Sequence, residues 1–537
     1  MIRPKVLLPL LMVGVMLLAQ PVYAHGFGER YDLPVPLGYY VVGAGLAVAL
    51  SFVVLGFFVR GGAGPSGYPR YNLLKHRTSR AILTSPLLIV PIKLASVCLL
   101  GLLIFAGFFG DSDPSDNLAP TFIWIIWWVG MGFFVALVGN LWALVNPWAA
   151  IYEGVEWLYR RFSTDGSLSL NERYPEGWRM WPAAVTFFCF AWVENVYSEN
   201  DLPARISLMV VAYSLLTLGG MVYFGKHTWL RNCEGFSVVF GFLSRFSPLE
   251  VRAAPPEVCA DCDDTCLDQD GRCIDCYQCF EASATEAWVE EEEAGDGGSS
   301  TARQDGPQRE LNIRPYAVSL ARPERVDSSM LAVVILLLAT VTFDGFSATS
   351  AWGHVQSFAA DVSPGLNNPI LNSATIANSI GLLLFPFVFY AVYVGFAHLM
   401  ARMVRNTLSP SALARVFVYS LIPIALAYNI AHFLPLLLVA GQRIIPLASD
   451  PFGWGWDLFG TVMYNINIGV LGARTVWFLS VAVIVVGHIV AVYLAHRIAM
   501  RTFGDRRLAI ASQYPMLLLM VLYTMVSLWI IGQPIVE

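Results

Sequence analysis

Charged residues are scarce in this sequence: Asp, Glu, Lys and Arg make up only 13% of its 537 residues, about half the share of an average soluble domain. Hydrophobic residues make up 56%, and long apolar runs recur along the chain. We therefore predict an all-α, multi-pass membrane protein whose main partner is the lipid bilayer. Basic residues form no block interleaved with aromatic residues, so nucleic acid is not an expected partner.

Common catalytic motifs are also missing. The sequence contains no G-x-S-x-G, no H-E-x-x-H and no Walker A loop. These absences argue against a serine nucleophile, a zincin and an ATP-driven machine. Any chemistry must therefore come from side chains that are scattered along the apolar runs or clustered between them.

The N-terminus has the parts of a secretory signal peptide. Arg3 and Lys5 precede an apolar run over 7–18 that is too short to span a bilayer comfortably. Small or permitted residues then lead to Ala24, which fits a cleavage site. We predict that 1–24 is removed and that His25 becomes the first mature residue; an uncleaved signal anchor is the alternative.

Ten further apolar runs are long enough for the hydrocarbon core. They lie near 38–59, 86–109, 121–146, 181–198, 203–225, 330–349, 374–398, 411–440, 475–498 and 511–532. The expected fold is a bundle of about ten mature helices, with five in the half over 25–225 and five in the half over 330–537. Lys and Arg concentrate after the first, seventh and ninth runs. This bias places those loops in the cytoplasm and both mature termini outside the bacterial inner membrane.

A polar insert over 226–329 separates the two halves, and the charge bias places it in the cytoplasm. It holds six cysteines in one short window: Cys259, Cys262, Cys266, Cys273, Cys276 and Cys279. Cys-x-x-Cys pairs on either side of an Asp270-Gly271 turn suit a tetrahedral thiolate site, and reducing cytoplasm disfavours the alternative of disulfides. We predict a structural zinc or iron–sulfur site here. The tail of the insert, after a Glu run at 290–293, is typical of a flexible linker.

Ionisable side chains within apolar runs are costly, so each needs a partner or a function. Glu194, Asp344 and His432 should all lie toward the outer leaflet, the side on which His25 enters. We predict that these three residues form a catalytic site there; mutual structural pairing is the alternative. His488, near the middle of its run, is a further candidate ligand, although a simple hydrogen-bonded histidine would explain it equally.

A mature N-terminal His25 would offer a metal both its α-amine and its imidazole. His432 and His488 could add imidazole nitrogens, and the arrangement resembles the histidine brace of copper proteins. We therefore predict a transition metal, copper or zinc, at the outer site, where an open position could activate water. The alternative is that His25 follows the cleavage site by chance.

Several strings resemble a family of bacterial polytopic membrane proteins labelled fenitrothion hydrolase. They are "AHGFGERYDLPVPLGYY", "DGFSATSAW", "YNIAHFLPLLLVAGQ", "VVGHIVAVYLAHRIAMRTFGDRR", "SQYPMLLLMVLYTMVSLWIIG" and the Cys-rich insert, and the resemblance covers most of the mature chain. It implies hydrolysis of a lipophilic organophosphorus triester with release of a nitrophenol. It assigns no catalytic residues.

Two other functions fit the same residues. One is metal handling, with copper or another ion bound by His25 and passed inward or to a partner. The other is secondary transport, because two five-helix halves would have opposite orientations, as in inverted-repeat transporters. The sequence identifies no partner subunit.

Overall fold

The structure is a computed structural model that describes residues 24–26, 29–31, 34–58, 68–162, 167–254, 267, 271–283, 309–322, 325–363, 368 and 372–533. The predicted signal peptide before Ala24, Cys259, Cys262, Cys266 and the predicted linker tail lie outside the described residues. The chain is mostly helical, at 74%, which confirms the all-α bundle.

Eleven α-helices precede the Cys-rich part of the described chain, and the last two of them belong to the predicted insert. They are α1 (Leu37–Phe58), α2 (Arg77–Leu83), α3 (Pro86–Phe109), α4 (Leu118–Thr121), α5 (Gly132–Leu137), α6 (Trp142–Val145), α7 (Pro147–Phe162), α8 (Trp181–Asn195), α9 (Pro203–Phe224), α10 (Lys226–Asn232) and α11 (Gly235–Ser244). Between α4 and α5, Phe122–Met131 is a π-helix, a geometry that is rare and concentrated at functional sites.

The second half has fewer and longer helices. They are α12 (Ser328–Ser347), α13 (Ser350–Val362), α14 (Ser373–Met403), α15 (Pro410–Phe417), α16 (Ile422–Val439), α17 (Ile444–Ser449), α18 (Ala473–Thr502) and α19 (Arg506–Ile531). Short 3₁₀ segments, Val418–Leu421 and Ala440–Arg443, join α15 to α16 and α16 to α17.

Nine helical stretches in the described residues are long and apolar enough to cross a membrane. They are Leu37–Gly56, Arg77–Phe109, Leu118–Leu137, Pro203–Phe224, Ser328–Ser347, Ser373–Met403, Pro410–Ser449, Ala473–Thr502 and Arg506–Ile531. Each coincides with a predicted run, so the chain is a multi-pass membrane protein by helix length and composition.

The tenth predicted run, 181–198, forms a shorter helix. α8 has 15 residues, which corresponds to about 22 Å at 1.5 Å per residue, whereas the hydrocarbon core is about 30 Å thick. The helix begins at Trp181-Pro182 and ends where the polar pair Glu194-Asn195 is reached. The last three residues of the run, 196–198, therefore lie outside the helix.

Helix α12 is the most enclosed of the nine spans. Within its most apolar stretch, 83% of residues are buried inside the protein, against 6% for Arg77–Phe109. Its start is capped by Asp327, whose side chain accepts from the backbone N–H groups of Ser329 and Met330, as N-cap residues do. The body of α12 therefore faces other helices, whereas Asp344, near its C-terminal end, is half-buried.

A small antiparallel sheet lies beside the helices. Its strands are β3 (Tyr71–Asn72), β4 (Leu249–Ala253), β5 (Cys273–Ile274) and β6 (Arg309–Ile313), in the order β3-β6-β4-β5. A separate hairpin pairs β1 (Ala24–Gly26) with β2 (Glu29–Tyr31). The four-stranded sheet was not predicted: it joins the loop after α1 to three parts of the insert.

Candidate functional site

The Cys-rich segment, defined here as residues 271–283, is held on the edge of the sheet. Cys273 pairs with Ala253 across β5 and β4, and Gly271 has φ of +73°, a left-handed conformation that suits a turn before the strand. Asp275 also has positive φ, +57°, so the chain reverses between Cys273 and Cys276. Residues 277–283 then form a helical turn that carries Cys279.

A histidine from far upstream in the sequence lies beside Cys276 and Cys279. Gly225, at φ of +90°, ends α9 and begins α10, and a side chain there would be strained. This sharp turn brings His227 beside the Cys-rich segment. One ligand atom from each of His227, Cys276 and Cys279 lies within 4.8 Å of the other two.

These three residues, called the thiolate–imidazole cluster below, could hold a metal ion. Two cysteines and a histidine suit zinc, and soft thiolates also suit copper(I) and iron–sulfur chemistry. Cys279 is disulfide-bonded in the structure, so its thiolate becomes available to a metal only when that bond is reduced. Cys273 is buried in β5 and is not part of the group.

His227 was missed by the sequence analysis. No Cys-x-x-Cys spacing includes it, and it sits at the start of a short helix in "FGKHTWLRN". Only the docking of the Cys-rich segment against α10 brings the imidazole to the thiols.

A cavity of about 840 Å³ opens beside the cluster, and both His227 and Cys276 line it. Its walls come from α6, α7, α10 and α11, from the loop before α8 and from the Cys-rich segment. Both signs of charge face the space, including Glu153, Lys226, Arg245, Glu281 and Arg322. A volume of this size is in the range of about 300–1,000 Å³ that is usual for small-molecule sites.

Ion pairs tie the cluster to the helices. Lys93 Nζ lies 2.8 Å from Glu153 Oε2 and 2.9 Å from Glu281 Oε1, and Lys226 Nζ lies 2.7 Å from Glu153 Oε1. Burial alone would raise the pKa of the Glu153 carboxyl, but Lys226 and Lys93 outweigh that effect and lower it. Because Lys226 adjoins His227 and Glu281 shares the helical turn of Cys279, this network braces both sides of the cluster.

A second ionic group, called the sheet cluster below, lies beneath the strands and comprises Glu250, Arg252, Asp275 and Arg314. Arg314 Nη1 lies 2.8 Å from Glu250 Oε2 and 3.0 Å from Asp275 Oδ2, and Arg252 also donates to Glu250. The side chains of Glu250 and Arg314 are 0% exposed. Burial alone would raise the pKa of the Asp275 carboxyl, but the Arg314 and Arg322 guanidiniums outweigh that effect and lower it.

The structure brings the three predicted outer-leaflet residues together, and we call them the membrane triad. His432 Nε2 lies 2.9 Å from Asp344 Oδ2. Glu194 interacts electrostatically with Asp344, and the Trp128 side chain is its hydrogen-bond partner. Trp128 belongs to the π-helix, so this unusual turn supplies the polar contact to α8.

The predicted outer metal site does not gain its other ligands from the described residues. Among the described residues, the one group with three ligand atoms within 4.8 Å of one another is the thiolate–imidazole cluster. The backbone of His25 pairs with Arg30 in the β1–β2 hairpin, and its side chain lies outside the description. His488 is 1% exposed, and its Nδ1 lies 2.8 Å from the carbonyl oxygen of Ile484, which is the hydrogen-bonded arrangement named as the alternative.

Comparisons with protein-family models, curated proteins and solved structures found no match for this chain.

Proposed function

We propose that the chain is a multi-pass membrane metalloprotein that binds a thiophilic transition metal at the thiolate–imidazole cluster. The observation that carries the proposal is the convergence of His227, Cys276 and Cys279 within 4.8 Å at the wall of a large cavity that charged side chains help to line. Zinc and an iron–sulfur cluster are the leading occupants, because both accept thiolate and imidazole ligands.

The predicted orientation puts this site in the cytoplasm. β3 lies within the basic loop after α1, and it shares a sheet with β4, β5 and β6. The loop and the insert therefore occupy one side of the bundle, in agreement with the charge bias that assigns both to the cytoplasm. An inner-membrane location with both termini outside further requires the short helix α8 to count as a crossing.

Metal content of the full-length protein, purified with a C-terminal tag and without chelator, tests the proposal. We expect stoichiometric metal in the wild type. The metal content should fall by a factor of about ten or more in His227→Ala and in Cys276→Ser, because each change removes a ligand. His354→Ala and Cys98→Ser are matched controls, since both side chains are exposed, and they should keep the metal.

Two results would contradict the proposal. Metal that survives in His227→Ala but is lost in His25→Ala would move the centre to the predicted outer site. The other result is a wild type without metal, and thiol titration of the denatured protein then shows whether a disulfide is present. Fewer reactive thiols than the cysteines of the sequence would identify the cluster as a disulfide.

Organophosphorus triester hydrolysis, implied by the family resemblance, is a second candidate function. The cavity favours it, because a metal beside a small-molecule space could polarise the phosphoryl or thiophosphoryl group and activate water. Release of nitrophenol from an aryl phosphorothioate by the purified protein is the measurement. Loss of turnover in His227→Ala would assign the reaction to the cavity, whereas loss in Asp344→Asn with metal retained would assign it to the membrane triad.

A further inference from the structure

The two carboxylates of the membrane triad have unequal partners. Asp344 is paired with the imidazole of His432 at 2.9 Å. Glu194 interacts electrostatically with the same Asp344, but its side-chain hydrogen-bond partner is the neutral indole of Trp128. Among the residues that the structure describes, no Lys, Arg or His forms an ion pair with Glu194.

This imbalance decides where a proton resides. Two facing carboxylates in an apolar bundle cannot both be charged when a single imidazole is available to compensate them. We propose that Glu194 carries an exchangeable proton within the membrane domain, and that the Asp344–His432 pair sets how tightly that proton is held. In the exchange step, the Glu194 carboxylic acid transfers its proton to water, and the resulting carboxylate recovers one by the reverse transfer.

The site is open enough to exchange a proton. The side chains of His432 and Asp344 are 23% and 27% exposed, whereas Glu250 and Arg314 of the sheet cluster are sealed at 0%. A purely structural pair has no need of such access. Partial exposure of both partners instead leaves the triad accessible from outside the protein, so that a proton acceptor could approach it.

Polar groups continue inward from the triad. Tyr428 stacks on His432, with ring centroids 6.1 Å apart, and its buried hydroxyl has no hydrogen-bond partner among the described residues. Tyr523 bonds Thr342 at 2.5 Å and lies 5.9 Å, ring to ring, from His488. The Nε2 atom of His488 is likewise buried without a partner in the described part of the chain. The Tyr428 hydroxyl on α16 and the His488 Nε2 on α18 are thus two buried polar atoms at which a bound water could relay a proton.

Among the described residues, the other neighbours of α8 supply no charge that acts on Glu194. Lys226, His227 and Arg231 lie on α10, which meets α8 toward its opposite end, where Thr186 donates to the Cys233 carbonyl. Helix α14 presents Ser379, which accepts from the Trp192 indole at 2.9 Å. Glu234, before α11, already accepts from the backbone N–H groups of Phe236 and Ser237 and lies toward the opposite end of α8. After α8, Glu199 is paired with Arg205 at 2.9 Å.

A protonatable acid inside a helix bundle is the element that proton-coupled transporters need. The inference is independent of the metal proposal, because it rests on α8, α12 and α16 and not on the Cys-rich segment. It gives the transporter alternative a specific ligand, the proton, and a specific carrier.

Infrared difference spectroscopy of the full-length protein in lipid bilayers, recorded during pH titration, tests this inference. We expect a carboxylic-acid carbonyl band in the wild type that disappears in Glu194→Gln and returns in Glu194→Asp. In Asp344→Asn the midpoint of that band should fall by about one pH unit or more, because the opposing negative charge is gone. In His432→Gln it should rise, because the Asp344 charge is left uncompensated.

Asp361→Asn is the matched control, since Asp361 is exposed, and it should leave the band unchanged. Monodisperse elution and unchanged helical content show that each variant is folded. A band that is identical in Glu194→Gln and the wild type, or a midpoint that Asp344→Asn does not lower, would overturn the inference.

Discussion

The sheet cluster and the membrane triad are both groups of ionisable side chains inside the protein, yet they are built in opposite ways. In the sheet cluster, Glu250 accepts from Arg252, Arg314 and Tyr68, and every carboxylate meets at least one guanidinium. In the membrane triad, two carboxylates share one imidazole. The first group is satisfied and sealed, and the second is under-compensated and partly open.

The difference indicates which group is structural. Buried charges that are fully paired hold one geometry and resist change in protonation, which suits the joint between the loop after α1 and the insert. Groups that lack sufficient compensating charge keep a protonation equilibrium available, which suits a functional site. Substitutions in the sheet cluster should therefore lower the free energy of unfolding more than substitutions in the membrane triad do.

The largest effect is expected from Arg314→Ala. Its removal leaves Glu250 and Asp275 buried with too few partners, which costs about 3–5 kcal/mol of the free energy of unfolding. Arg173→Ala is the control, because the Arg173–Glu176 pair is 88% and 82% exposed and such pairs contribute about 0–1 kcal/mol. Denaturant titration in mixed micelles measures both. Equal effects of the two changes would mean that the sheet cluster is not a structural joint.

A matched pair of tyrosine substitutions gives an intermediate effect. The Tyr68 hydroxyl donates to Glu250 and accepts from Arg252, so Tyr68→Phe should cost about 1.5–3 kcal/mol, as for hydrogen bonds to charged groups. The Tyr428 hydroxyl has no partner among the described residues, so Tyr428→Phe should change stability by less than about 0.5 kcal/mol. The same unfolding assay compares them. A large loss in Tyr428→Phe would show that an ordered water or another group satisfies that hydroxyl.

The smallest effect concerns pH and the brace around Glu153. Because Lys226 and Lys93 lower the pKa of Glu153 below its ordinary value of 4.5, its stabilising contribution is complete above that pH and is lost as pH falls toward the lowered value. The difference in melting temperature between the wild type and Glu153→Gln should thus be constant above about 4.5 and shrink below it.

Glu156→Gln is the control for this pH series, since the ion pair that Glu156 makes among the described residues is with the 60% exposed Arg160, at 3.2 Å. It should show a small difference with little dependence on pH. A wild-type advantage over Glu153→Gln that persists unchanged in acid would mean that its charge is not what braces the Cys-rich segment.

Much of the fold could be predicted because its signals are local. An apolar run of sufficient length forms a spanning helix whatever its neighbours are, so nine predicted runs coincide with nine spans. The run at 181–198 fell short because length was judged from hydropathy, whereas Glu194-Asn195 and the following turn end α8 early. Glu194, one of the two polar residues at the end of this helix, also belongs to the membrane triad.

The candidate sites were only partly accessible to sequence reasoning. Polar residues inside apolar runs identified Glu194, Asp344 and His432, since a charge in hydrocarbon is conspicuous by itself. Their roles remain predictions. The unequal pairing within the triad could not be anticipated, because it depends on which helix faces meet and on the π-helix that presents Trp128 to Glu194.

The sequence by itself determined the class of the protein, the position of its helices and the presence of a Cys-rich segment, because hydrophobic length and cysteine spacing act over short distances along the chain. Only the tertiary structure decided that His227 joins Cys276 and Cys279, and that strands from distant segments close over a sealed ionic cluster. The physical reason is that ligand sets and buried ion pairs are completed by long-range packing, which leaves no periodicity or spacing in the sequence.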